Sequence, residues 1–358
     1  MRVSLVASLA AAVALVAAFG MAEFAPRALA AGPSGPMEPA QKPDQTPAQK
    51  PDQKPSQKPD QIRPLPVAVS IAPQRFLLER LAGDDVRVTT VVTSGQSHET
   101  YQPTDQQASE VMRASLYFAM GLPLENGRWF ESIRRAQRVR VIDCREGITL
   151  RELEGHGHDP GQDHGHDEGH GTPGHVCSTD GSDPHVWTTP ALLKQQARTM
   201  SKALREAAPW LDARLATSLP ALEKELDALD LELRTILEPA KGQAFFIFHP
   251  AWGYFADAYG IRQIAIEREG KAPSDHELTE LQRQARAEGA RVVFVQPQIS
   301  SKAAEAVARA VDGRVEVIDP LEADVPANLR RVARAIAEAI AKGPAKGPAN
   351  KLDSGADR

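Results

Sequence analysis

Cysteine is almost absent: two residues in a chain of 358 rule out a disulfide framework or a four-cysteine zinc site and leave room for one bridge at most. Aromatics make up only 5%, too few for the stacking platforms that hold single-stranded nucleic acid. Positive charge is not in excess, since 42 Lys and Arg stand against 47 Asp and Glu for a net charge of −5. Without a basic field to gather phosphates, nucleic acid is not an expected partner. Also missing are HExxH, GxSxG and a glycine-rich phosphate loop ending in GK[ST], so no particular reaction is indicated. Histidine is what the chain does have: ten residues, six of them within positions 156–175. Apolar content of 42% suffices for one large core or two ordinary ones.

The chain starts with a short positive segment, Met1-Arg2, followed by an apolar, Ala-rich run over 3–19 and the small residues of Ala28-Leu29-Ala30. This order predicts a signal peptide over 1–30, cleaved near Ala30, and therefore export; an uncleaved anchor helix is the alternative, because a span needs about 20 apolar residues. No cysteine lies near the cleavage site, so no lipid anchor is expected. From 31 to 63 the string QKPDQ occurs three times with a period of eight, at 41–45, 49–53 and 57–61. With scattered Pro and almost nothing to bury, this segment reads as a disordered tether. Residues 343–358 read as a disordered tail for the same reason.

Between these ends, short β-branched runs alternate with helical patterns. Strands are predicted at 67–71, 86–92, 116–120 and 138–142, then at 244–248, 262–266, 291–295 and 315–318. Helices are predicted at 74–82, 103–114 and 128–136, and near 251–259, 275–288, 300–311 and 326–341. Such alternation implies α/β architecture: two similar αβα lobes, each with a four-stranded parallel sheet. The N-terminal lobe spans 64–208 and the C-terminal lobe 239–342. Residues 190–237 are Leu-rich and helical throughout, and their last part supplies a long rigid helix, 209–238, that connects the lobes. Pro220 falls inside it, which either kinks one helix or marks two helices breaking at 218–219.

Three residues with metal-binding side chains follow strands: His98 after 86–92, His249 after 244–248 and Asp319 after 315–318. In open parallel sheets ligands bind beyond the carboxyl ends of strands, where the loops converge. A fourth, His185, precedes a helix. Each is a weak signal alone, and Asp319-Pro320 is also an ordinary turn. Their shared placement makes a site between the lobes, with His98, His185 and His249 ranked above Asp319. His276 reads as the first turn of a helix capped by Ser274 or Asp275, not as a ligand.

Several strings extend this pattern: Gly95-Gln96-Ser97-His98-Glu99-Thr100-Tyr101-Gln102-Pro103-Thr104, Asp183-Pro184-His185-Val186-Trp187, Phe248-His249-Pro250-Ala251-Trp252-Gly253-Tyr254-Phe255, and Phe294-Val295-Gln296-Pro297-Gln298 leading to Ile318-Asp319-Pro320-Leu321. Over roughly 64–342 the chain resembles the zinc/manganese solute-binding proteins of ABC transporters, and within them the ZnuA-like, zinc-specific periplasmic type. The resemblance implies a metal held by three histidines with a carboxylate or water as fourth ligand, a periplasmic location, delivery to an inner-membrane permease with its ATPase, and no catalysis. A monomer is expected. Two positions depart from the pattern: Ser97 stands where zinc-specific relatives can carry an acid, and Gln296 replaces a frequent Glu. Zn²⁺ fits three imidazoles, whereas Mn²⁺ favours more oxygen and higher coordination. His249 discriminates, because manganese and iron relatives usually place a carboxylate there. The competing readings are a manganese or iron binder of the same family, a metal-dependent periplasmic hydrolase, and an adhesin.

Residues 154–175 hold His156, His158, His164, His166, His170 and His175 among acids and glycines, with no Lys or Arg. No core can form from this composition, which predicts a loop with several weak metal sites; a solvated acidic linker is the bland alternative. Cys144 and Cys177 bracket the loop. Oxidising surroundings predict a disulfide between them, unless Cys177 is a thiolate ligand of the histidine cluster.

Overall fold

The computed structural model describes residues 64–152, 181–267, 271, 273–298 and 301–341. The expected signal peptide, tether, histidine-rich stretch and tail all lie outside the described residues.

Each lobe is built on a parallel sheet whose central strands are apolar on both faces, as coverage by helices on both sides requires. The first sheet contains β1 (Leu65–Ile71), β2 (Val86–Val92), β3 (Leu116–Ala119) and β4 (Arg140–Asp143), ordered β2-β1-β3-β4. In register, Val67 faces Val88 on one side and Leu116 on the other. The second sheet repeats the order as β6-β5-β7-β8, from β5 (Ala244–Ile247), β6 (Arg262–Ala265), β7 (Val292–Val295) and β8 (Arg314–Val317). Here Phe246 faces Ile264 and Val293.

Helices α1 (Ala72–Ala82), α2 (Asp105–Val111) and α3 (Arg128–Ala136) belong to the first lobe. Thr104 starts α2 by accepting the N–H of Gln107 at 3.2 Å while the Gln107 side chain accepts the N–H of Thr104 at 3.0 Å, a reciprocal cap. The second lobe carries α6 (Gly253–Tyr259), α7 (Asp275–Ala287), α8 (Ser301–Ala310) and α9 (Val325–Ala341).

Between the lobes, the helical stretch expected over 190–237 is divided into α4 (Pro190–Ala207) and α5 (Asp212–Leu237). The break falls at Ala208, whose backbone is pushed out of the helical region by Pro209, and a short 3-10 turn over Pro209–Leu211 follows. By contrast, α5 continues unbroken through Pro220, so the chain does not separate into helices at 218–219. Leu215, Leu222, Leu226, Leu229 and Leu233 of α5 are buried, and the helix packs on α1, α4 and α9. One continuous apolar core therefore joins both lobes through this helix. Among the described residues, no helix is long and apolar enough to cross a membrane.

Candidate metal centre

Three loops bring histidines to one buried point. The loop after β2 turns sharply at Gly95, whose φ of +82° is open to glycine and strained for other residues. Gln96 fastens the same loop by accepting the N–H of Thr93 at 2.9 Å, and His98 follows, 1% exposed. His185 sits ahead of α4 in a stretch whose end is fixed by Thr189, which caps the helix by accepting the N–H of Leu192 at 3.3 Å. His249 comes directly after β5, and its carbonyl accepts the N–H of Ala251 at 2.8 Å.

The three rings converge through their Nε2 atoms. His98 Nε2 lies 3.0 Å from His185 Nε2, which lies 3.4 Å from His249 Nε2. A tetrahedral zinc with Zn–N bonds of about 2.0–2.1 Å spaces its nitrogen ligands roughly 3.3–3.4 Å apart, so the His185–His249 pair matches that spacing and the His98–His185 pair comes within a few tenths of an ångström of it. Side-chain ligand atoms of all three lie within 4.8 Å of one another.

Carboxylates behind the rings fix their tautomers. His185 Nδ1 donates to Asp183 Oδ1 at 2.7 Å, and the same oxygen accepts the His185 backbone N–H at 2.9 Å. His249 Nδ1 is paired with Glu267 Oε1. Each ring is thereby held with its Nε2 facing inward, the arrangement that orients a ligand and raises its basicity. Trp187 forms the wall, with its ring 5.7 Å from that of His98 and 5.2 Å from that of His185. Its indole N–H donates across the cleft to the carbonyl of Pro320 at 2.8 Å.

The electrostatics follow from burial and from these acids. Burial, reinforced by His185, lowers the pKa of His98 to about 3. At His249 burial also acts downward, but Glu99 and Glu267 together outweigh it and raise the pKa to about 10. Burial would raise Glu99; His249, whose Nε2 lies 2.7 Å from Glu99 Oε1, instead holds that carboxyl well below the ordinary carboxylate range.

The sequence reading missed Glu99 and Glu267. Glu267 directly follows the strand predicted at 262–266, so the rule that found His249 applies to it equally. Asp319, ranked below the histidines as a candidate ligand, is hydrogen-bonded to other partners. Its Oδ2 accepts from Ser94 Oγ at 2.7 Å and from the Gly95 N–H at 3.3 Å, and its Oδ1 accepts the Leu321 N–H at 2.9 Å. The short Asp side chain folds back over its own Asp-Pro turn and spends its oxygens there and on the facing loop. His276 lies in the first turn of α7, and Ser274 supplies the cap.

The two chain ends that flank residues 153–181 are held together beside the site. Glu152 pairs with Ser182 in an antiparallel bridge, and the Asp183 N–H donates to the Arg151 carbonyl at 2.8 Å. Arg151 fits between Asp183 and Asp257 because position 253 is glycine; a Cβ there would collide with its guanidinium. Cys144 is buried and has no disulfide partner among the described residues; its Sγ accepts from Gln74 Nε2 at 3.5 Å, and burial would push the pKa of its thiol up. Its expected partner Cys177 lies outside the described residues, as do all six loop histidines.

Comparison with known proteins agrees with this geometry. The profile of the family described as zinc-uptake complex component A, periplasmic, matches residues 67–343. The chain is similar to a ZnuA deletion mutant solved with zinc bound, at 36% identity and a TM-score of 0.67, covering 77% of this chain and 98% of that one. It is 24% identical over 263 residues to the high-affinity zinc uptake system protein ZnuA of Bacillus subtilis, covering 72% of this chain and 79% of that protein. It is also 24% identical over 267 residues to the zinc-binding protein AdcA of Streptococcus pyogenes, where the match spans only 50% of the relative's length. Two parallel four-stranded sheets joined by a long helix, with a buried cluster of imidazoles between them, are the expected framework for metal capture, and the chain belongs to the periplasmic zinc-uptake component A family of metal-binding solute-binding proteins.

Proposed function

We propose that the protein captures Zn²⁺ in the interlobe cleft through His98, His185 and His249 and hands it to an ABC permease powered by its ATPase. The observation that carries this reading is the convergence of three inward-facing Nε2 atoms, two on rings locked from behind by Asp183 and Glu267. Three neutral imidazoles suit zinc better than manganese, and the third imidazole, His249, is where manganese and iron relatives usually carry a carboxylate. Catalysis needs a substrate pocket beside the metal; here the ligand rings are 0–1% exposed and enclosed by Trp187, which suits sequestration.

Residues 154–175 act in this account as an auxiliary collector. Each loop site must freeze a glycine-rich backbone at roughly 1–2 kcal/mol per residue, so these sites are weak and several, while the cleft starts from a rigid scaffold. The paired ends at Glu152 and Ser182 place the attachment of this segment next to Asp183, the residue that orients His185. A bridge between Cys144 and Cys177 belongs to the same proposal, and intact-mass measurement after alkylation without reductant tests it: two labels eliminate the bridge.

The experiment is metal analysis of protein purified without added metal, followed by competition among Zn²⁺, Mn²⁺ and Cu²⁺. Retention of one tight zinc that manganese does not displace supports the proposal. Preferential retention of manganese contradicts it.

A further inference from the structure

From the zinc reading above, on which this step rests, we infer that Arg151 is a positioning residue for the metal centre: its guanidinium holds the outer oxygen of Asp183, steadies His185 through it, and ties that carboxylate to the second lobe. The Asp183 side chain is 1% exposed, and its two oxygens have separate duties. Oδ1 takes the ring Nδ1–H and the backbone N–H of His185. Oδ2 faces Arg151 Nη1 at 3.4 Å. A buried carboxylate with no cation beside it is costly and turns toward water, and the guanidinium removes that incentive. Held on both sides, the carboxylate keeps one orientation, and the His185 ring inherits it.

Arg151 is itself held from the opposite lobe. Its Nε pairs with Asp257 Oδ2 of α6 at 2.7 Å, its backbone N–H donates to Tyr254 Oη at 2.9 Å, and that hydroxyl donates to the Asp183 carbonyl at 2.8 Å. The Asp183 N–H returns to the Arg151 carbonyl at 2.8 Å. Arg151 and Asp183, which lie on either side of residues 153–181, are thereby closed into one ring of contacts with α6 that ends on a ligand histidine. The sign of the charge separates this role from a plain field effect. A cation beside the site repels Zn²⁺, so removing a guanidinium that acts only through its field strengthens binding. Removing one that positions Asp183 weakens it. Gly253, the first residue of α6, supplies an independent handle: a Cβ there overlaps the guanidinium and comes within 3.0 Å of Asp183 Oδ2. Gly253→Ala therefore evicts Arg151 from Asp183 while keeping its charge in the protein and favouring the helix.

The test uses the full chain with one equivalent of metal, comparing wild type, Arg151→Ala, Gly253→Ala, Arg151→Ala with Gly253→Ala, and Arg151→Ala with Asp183→Asn. Readouts are zinc affinity by chelator competition and the visible spectrum of the Co²⁺ form, with circular dichroism of each metal-free variant to establish that it is folded. We expect Arg151→Ala and Gly253→Ala each to lose about 3–10-fold in zinc affinity, less than the roughly 10–100-fold set by Asp183 itself, and to shift the cobalt spectrum. Each double variant should fall well short of the product of its single effects, because both substitutions act on one carboxylate. Zinc affinity that is unchanged or raised in Arg151→Ala overturns the assignment, as do effects that multiply with Asp183→Asn. So does a Gly253→Ala protein with the affinity and cobalt spectrum of wild type, a comparison that stands even where Arg151→Ala does not fold. Failure of the zinc reading itself looks different: wild type would then lack a tight one-to-one site, or would hold its metal away from the three histidines.

Discussion

Ser94 Oγ donates to Asp319 Oδ2 at 2.7 Å, tying the loop that carries His98 in one lobe to the end of β8 in the other. Together with the Trp187–Pro320 hydrogen bond it links the loops that carry His98 and His185 to the end of β8 in the other lobe. Hydrogen bonds to charged groups contribute about 1.5–3 kcal/mol. Ser94→Ala should therefore speed zinc dissociation by roughly tenfold while leaving association unchanged. Stopped-flow mixing of the zinc-loaded protein with excess chelator measures this, and an unaltered release rate would show that the tie plays no part in retention.

In the proposed zinc site Asp183 acts on the metal through His185. Its Oδ1 receives both the ring Nδ1–H and the backbone N–H of that residue, so Asp183→Asn loosens the ring without deleting a ligand. Zinc affinity should fall about 10–100-fold, the usual cost of losing such a partner. Competition titration against a chelator of known affinity reads the change.

A metal bound by the proposed triad must displace a proton. His249, raised to about 10, is charged at neutral pH, whereas His98, lowered to about 3, is already neutral. Because the folded value of His249 lies above the ~6.5 of an unfolded histidine, its ionic contribution to stability is complete below pH ~6.5 and disappears as pH rises through about 10. Zinc competes with that proton over the same window, so apparent affinity should climb by up to about tenfold per pH unit from neutrality upward. Calorimetry at pH 8 on protein lacking 155–175, in buffers of different ionisation enthalpy, should show about one proton released per zinc. A binding heat independent of buffer would contradict the protonated state of His249.

The connecting helix carries stability and not chemistry. Leu226 is fully buried in the core shared by both lobes, so Leu226→Ala should cost about 2–5 kcal/mol. Denaturant unfolding should show the loss, while zinc stoichiometry stays at one tight ion per chain under native conditions.

The fold was legible because its signals are local. Strands such as β5 and β7 are continuous apolar runs, and their parallel pairing follows from alternation with helices, whereas the strand order within each sheet does not. The break at Ala208 was also written locally, in Pro209, but the leucine stripe on either side of it reads as one helix. At the site, His98, His185 and His249 could be found from their positions near strand ends and before a helix. Glu99 was hidden among 47 acidic residues, since only the folded chain shows which acids face an imidazole, whereas Glu267 stood at a strand end where the rule that found His249 applies. Asp319 illustrates the converse: its position after β8 is right for a ligand, and hydrogen bonds within its own turn and to the facing loop redirect its carboxylate.

Whether the histidine triad holds one tight zinc is decided by zinc titration of His98→Ala, His185→Ala and His249→Ala, each in protein lacking 155–175. Spreading the ~10–16 kcal/mol of a four-ligand zinc site over its ligands gives about 3 kcal/mol each, so every substitution should weaken binding at least roughly a hundredfold. The parent deletion should keep its single tight site. Tight one-to-one binding that survives all three substitutions would place the metal elsewhere and contradict the account.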